Sequence, residues 1–220
     1  GMMIQKHIGY TTWNDNFPHD MMPKVFRMNA EEVQTANGGY SFALDDRGYT
    51  SIEAEHYHTA RTTAATQWMV IPDMGRTLSA IALWPYTEEP AGASLSYRLQ
   101  LPANTSSVKV HVIVKSTLAF RNPEGHKYTV AIDGGKAEEV NYNGNLNEKP
   151  ENCDSIYYPT VARRVVESVV TLPVSNTSGN FHTLTLSPLD PAVVFEKIVV
   201  DYGGYTDQFL FGTESVNSRK

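Results

Sequence analysis

From Gly39 onward, apolar and polar residues alternate in short bursts, and turn-forming residues separate one burst from the next. Thr50–Tyr57, Ser79–Trp84 and Ala93–Leu101 alternate at period 2, the pattern of strands that turn one face to a core. Val108, Val110, Val112 and Val114 repeat the pattern with β-branched residues, which fit a pleated, half-buried surface. Tyr128–Ile132 runs into Asp133-Gly134-Gly135, residues that accept positive φ, so a tight hairpin and a returning strand over Ala137–Tyr142 are expected. Val165–Leu172 and Phe181–Leu186 continue the series. Val193–Asp201, apolar almost throughout, reads as a central strand.

Asn143–Tyr158 is dense in Asn, Pro, Glu and Gly and is expected to be a mobile polar insertion without a strand. No long amphipathic helix is predicted after residue 39. Roughly ten short strands without intervening helices indicate an all-β fold, two antiparallel sheets packed as a sandwich or jelly roll. Met2–Glu32 differs, being rich in Met, aromatic residues, Asn and Pro with no sustained period. Residues 1–38 are therefore expected to be a strap or linker from a preceding domain, and residues 39–220 the sandwich.

Composition narrows the functional classes. With 41% hydrophobic and 19% charged residues the chain carries enough apolar surface to fold. Its 18 basic and 24 acidic residues give a net charge of −6 without a basic block, which speaks against nucleic acid and anionic membrane as partners. No run approaches the ~18 apolar residues of a transmembrane helix. Cys153 is the single cysteine, so a disulfide within one chain and a thiolate metal cluster are both excluded. Gly1 ahead of Met2 and Met3 reads as a remnant of tag removal, so the absence of a leader says nothing about the parent protein.

Several constellations could carry chemistry. Glu53 and Glu55, two apart on an expected strand, share a face. Retaining glycosidases hold their two carboxyl groups ~5 to 5.5 Å apart, so a catalytic pair competes with surface salt bridges. His56 and His58 are spaced for zinc only if further ligands converge, and none can be named. Trp68, Trp84, Tyr86 and Tyr97 lie among the middle strands, with Tyr157 and Tyr158 in the polar insertion. Sugar rings stack on exposed aromatic planes while their hydroxyls seek polar groups, which makes Trp68, Trp84, Tyr157 and Tyr158 candidate glycan contacts against the alternative of core packing. Arg76, Arg163 and Arg164 can grip a carboxylate through two parallel hydrogen bonds, whether from an acidic ligand, an internal Asp or a preceding domain. Asn104-Thr105-Ser106 and Asn176-Thr177-Ser178 fit the glycosylation pattern, which matters only in a eukaryotic secretory setting.

Longer phrases resemble one family. Ser51–Tyr57, Trp68–Thr77, Tyr128–Asp133, His182–Leu184, Asp190–Gly204 and Gly212–Ser215 are similar, in this order, to the C-terminal domain of glycoside hydrolase family 115. Those α-glucuronidases act on xylan and related glucuronidated glycans. Ile8–Trp13 and Met22–Val25 resemble the segment joining that family's helical region to its sandwich. One departure stands out: the family tends to carry a tryptophan where this chain has Tyr158–Arg164.

The resemblance implies a galactose-binding-domain-like sandwich related to carbohydrate-binding modules of families 6 and 35. It also implies a non-catalytic accessory role, because the family's catalytic carboxylates sit in a preceding barrel. Expected partners are the catalytic and helical domains of the same polypeptide and a second copy of the chain, and the parent is expected to be secreted or periplasmic. The alternative is a working carbohydrate-binding module for acidic xylan, with Trp68, Arg76, Trp84, Tyr157, Tyr158 and Arg163 as its contacts. Ile52–Glu55 also resembles the opening strand of those modules, where glutamates help to hold a structural calcium with an aspartate of the last strand. Glu53, Glu55 and Asp201 are the matching candidates here, in competition with surface salt bridges.

Overall fold

The computed structural model describes residues 38–175 and 180–219, so the expected strap and the Asn176 glycosylation triplet lie outside the described residues. The described chain forms two sheets. The seven-stranded sheet has the order β13 (Asn217–Arg219), β1 (Tyr40–Phe42), β6 (Ser94–Gln100), β11 (Phe181–Pro188), β8 (Lys127–Ile132), β9 (Glu138–Asn141), with β3 (Thr59–Arg61) also on β6. The six-stranded sheet has the order β10 (Val166–Pro173), β7 (Ser107–Val114), β12 (Val194–Asp201), β5 (Ala80–Trp84), β4 (Gln67–Ile71), with β2 (Tyr49–Glu53) also on β12. Every pair is antiparallel except β1 with β6, where Ser41 and Phe42 run parallel to Arg98 and Leu99.

The alternation read from the sequence becomes the core. Leu95, Tyr97, Leu99, Val130, Leu184 and Leu186 from one sheet meet Val110, Val112, Val114, Phe195, Ile198 and Val200 from the other. Tyr97 is fully buried and donates its hydroxyl to the Ala54 carbonyl at 2.8 Å, so its one polar group is satisfied. The hairpin after β8 turns through Asp133 and Gly134 with φ of 51° and 67°, both positive as a type I′ turn requires.

β12 is buried on both faces because the outer side of its sheet is also covered. Tyr49, Ile113, Val165 and Val199 project outward and pack with Phe211 and Tyr205 of the segment after β12. A bulge between Phe195 and Lys197 shifts the register of β12 against β7 and leaves the Glu196 carbonyl to accept the Ala54 N–H at 3.1 Å.

The expected polar insertion is corrected in part. Its second half is helical: α1 (Pro150–Asn152), a π-helical turn (Cys153–Tyr157) and α2 (Tyr158–Arg163) follow one another, with Pro150 in the first turn of α1. Arg164 ends α2 in the left-handed region, φ 59°, and its N–H closes onto the Thr160 and Val161 carbonyls.

Candidate functional site

Buried charges occupy the end of β2. Lys197 stands opposite Glu53 across the β12–β2 ladder, and its ammonium donates to Glu53 Oε1 at 2.8 Å. Thr77 Oγ1 donates to the same oxygen at 2.5 Å and accepts from Lys197 at 3.2 Å. Both charged residues are only 2% exposed. Strand β2 stops at Glu53 and the chain turns, the His56 N–H bonding back to the Glu53 carbonyl at 2.9 Å, so Glu55 does not continue the strand face. Burial pushes the Glu55 carboxyl up against a countering hydrogen bond from Ser79. Glu196 is 1% exposed; Lys115 Nζ approaches Oε1 at 3.2 Å without the alignment of a hydrogen bond, and burial raises its pKa.

This geometry corrects the calcium assignment. Glu53 is taken by an ammonium and a hydroxyl. Asp201 pairs with Tyr49, four ladder positions from the Glu53–Lys197 pair and so ~13 Å along the strand. Its Oδ1 instead accepts the N–H groups of Gly203, Gly204 and Tyr205 at 2.8, 3.0 and 3.1 Å. Among the described residues no group of three or more His, Cys, Asp or Glu is arranged to hold a metal ion. The zinc reading goes the same way, since His56 Nδ1 bonds Glu214 Oε1 at 2.6 Å and His58 Nδ1 bonds the Tyr40 carbonyl at 2.9 Å.

Three predicted contacts turn out to hold the fold together. Trp68 is 5% exposed, packs near Phe195 and donates Nε1–H to the Arg61 carbonyl at 2.8 Å, so it is core. Arg76 lies over the Phe209 ring, 4.2 Å from its centroid, and donates to the Phe209 and Arg163 carbonyls. Arg163 pairs with Glu167 at 3.0 Å and Asp207 at 3.2 Å and lies over Phe211. The structure therefore brings Arg76 and Arg163 together as a clamp on residues 207–211, with their guanidinium groups committed internally.

The other predicted aromatic residues line two separate concavities. Trp84 and Tyr86, exposed and in edge-to-face contact at 5.0 Å, border a cavity of about 480 Å³ at β4 and β5. Its remaining wall is mainly aliphatic, including Met69, Ile71, Pro72 and Val194. Nearby, Arg121 Nη2 donates to the Thr87 carbonyl at 2.8 Å and Thr117 lines the cavity, so the segment carrying exposed Leu118 and Phe120 is tethered beside it.

The second concavity, about 440 Å³, lies between the helical insertion and the loops after β7 and β9. Ser116, Asn143, Leu146, Tyr157, Thr160, Val161 and Arg164 line it. Tyr158 is exposed beside it and makes a tilted contact with Tyr157 at 5.5 Å. Asn143 and Thr160 were not legible as lining residues, because nothing local shows that a β9 loop and a helix face each other.

No curated protein matches the chain in sequence. Among solved structures, a family 115 4-O-methyl-α-glucuronidase with specificity for decorated arabinogalactans aligns with 67% of this chain and 18% of its own at 16% identity and a TM-score of 0.48. The aligned part of this chain thus spans less than a fifth of that enzyme's length. The C-terminal family 6 carbohydrate-binding module of a Zobellia galactanivorans laminarinase aligns over 70% of this chain and 98% of its own, with 15% identity and a TM-score of 0.45. A family 35 module from Clostridium thermocellum aligns over 69% and 98%, with 11% identity and a TM-score of 0.43. The family model of the glycosyl hydrolase family 115 C-terminal domain matches residues 43–214, from just after β1 to the closing segment over the six-stranded sheet. On that match the chain belongs to the glycosyl hydrolase family 115 C-terminal domain family.

Proposed function

We propose that this chain is a non-catalytic accessory domain of a family 115 α-glucuronidase acting on glucuronidated glycans such as xylan, and that it packs against the preceding part of the same polypeptide outside the cytoplasm. The observation that carries this reading is the apolar cavity at β4 and β5. Trp84 is 44% and Tyr86 53% exposed beside a mostly aliphatic wall, and an exposed apolar patch of this kind suits docking against another protein surface. A family defined as the C-terminal portion of glycoside hydrolases has its natural neighbour in its own polypeptide. The buried carboxylates support the non-catalytic part: Glu53 and Glu196 face Lys197 and Lys115 rather than a cleft.

Hydrogen exchange on the intact polypeptide and on this chain alone tests the packing. Amides of Gln67–Ile71 and Ala80–Trp84 should exchange more slowly in the intact protein. Equal exchange in both overturns the reading, as does protection that depends only on the concentration of the isolated chain, the sign of self-association.

A second reading, a working glycan-binding module, is favoured by the amphipathic cavity with Tyr157 and Arg164 in its wall.

A further inference from the structure

We infer that the cavity between the helical insertion and the loops after β7 and β9 is a binding site for carboxylate-bearing sugars, with Arg164 as the carboxylate anchor and Tyr157 as the ring platform. The inference rests on the glycan-binding reading and gives it a place and a ligand class.

Charge is the first argument. Among the described residues Arg164 is the only charged side chain in the lining, and no carboxylate lines the cavity with it, although acidic residues outnumber basic ones in the chain. Arg47, Arg76 and Arg163 are spent within the fold: Arg47 on Asp45, Arg76 on two carbonyls, Arg163 on Glu167 and Asp207. The guanidinium of Arg164 makes no hydrogen bond or ion pair with the described residues, so its planar fork is available to a carboxylate. Its backbone is held in place, because the N–H caps α2 on Thr160 and Val161 in the left-handed conformation.

The second argument is the mixture of surfaces. Tyr157, Leu146 and Val161 offer apolar area to the C–H face of a pyranose, while Asn143, Thr160 and Ser116 offer hydrogen-bonding groups to its hydroxyls. Asn143 Oδ1 accepts the His126 N–H at 2.5 Å, which orients the amide and leaves its NH2 group to donate. A volume of about 440 Å³ suits one or two sugar units. The cavity beside Trp84 has the aromatic rings but a mostly aliphatic wall, with fewer polar groups for sugar hydroxyls and no charged one for a carboxylate.

Calorimetric titration of the purified chain with a glucuronate-bearing xylo-oligosaccharide tests the inference, alongside the uncharged xylo-oligosaccharide of equal length and a sulfated sugar. The uronate ligand should bind more tightly than the other two. Arg164→Ala should weaken it at least about tenfold, Arg164→Lys should recover part of the loss, and Tyr157→Ala should weaken charged and neutral ligands alike. Because the Arg164 side chain has no partner among the described residues, the Arg164→Ala protein should melt with the wild type. Unchanged uronate binding by Arg164→Ala, or equal affinity for the sulfated or neutral sugar, overturns this site while the glycan-binding reading stands. If the wild-type chain binds none of the three, the glycan-binding reading falls with it.

Discussion

Lys197 and Glu53 show how a single pair can decide a strand's place. Removing one partner of a buried, hydrogen-bonded ion pair leaves the other uncompensated, which costs about 3–5 kcal/mol, whereas replacing both by apolar groups is often neutral. Lys197→Met is therefore expected to lower stability by that amount in urea unfolding, and Glu53→Leu added to it should restore most of the loss. Asp45 supplies a pH signature. The Arg47 guanidinium hydrogen-bonded to it lowers its carboxyl from 3.8 to about 2. A depressed carboxyl stabilises the fold above its unfolded pKa and ceases to do so as the pH falls through its folded one. The stability advantage of wild type over Asp45→Asn should thus be full at neutral pH and shrink between about pH 4 and pH 2 in thermal melts. At this scale the sequence was least legible. Trp68 was a candidate contact because local text cannot say whether an aromatic residue ends in the core. The Glu-Lys doublet inside the apolar run Val193–Asp201 was a signal that a buried charge needed a partner, but the partner, Glu53, is 144 residues away.

Strands were legible where period 2 ran for five residues or more. β7, β8, β11 and β12 fall where the alternation or the continuous apolar run placed them, because burial on one or two faces imposes those patterns. The three-residue strands β1, β3 and β13 were not foreseen, since so short a segment has no period and exists only through its partner. The helical insertion was hidden by its Asn-rich composition, although Pro150 at the first turn is a start signal. The turn joining β12 to the closing segment depends on backbone contact rather than on pattern. A Cβ on Gly204 would come within 2.1 Å of the Arg47 carbonyl oxygen, whereas one on Gly92, φ +81°, would meet nothing within 4 Å. Gly92→Ala should cost only the strain of its left-handed backbone, about 1–2 kcal/mol, and Gly204→Ala clearly more, both read from urea unfolding midpoints.

On the scale of the molecule, the division into a buried ionic group, an aromatic clamp and two surface cavities assigns different work to different faces. The outer face of the six-stranded sheet is covered by Phe211 and Tyr205 at β2, β7 and β12 and left open at β4 and β5, where the apolar cavity lies. Fold class was legible from the spacing of strands. The site was legible only as a list of residue types, because which arginine is free and which is clamped depends on segments distant in sequence. The central claim, that the bond-breaking groups lie elsewhere in the parent polypeptide, is tested most directly by incubating the purified chain with glucuronidated xylo-oligosaccharides and following free uronic acid by NMR. The account predicts no release above the enzyme-free control; sustained release proportional to the concentration of this chain would contradict it.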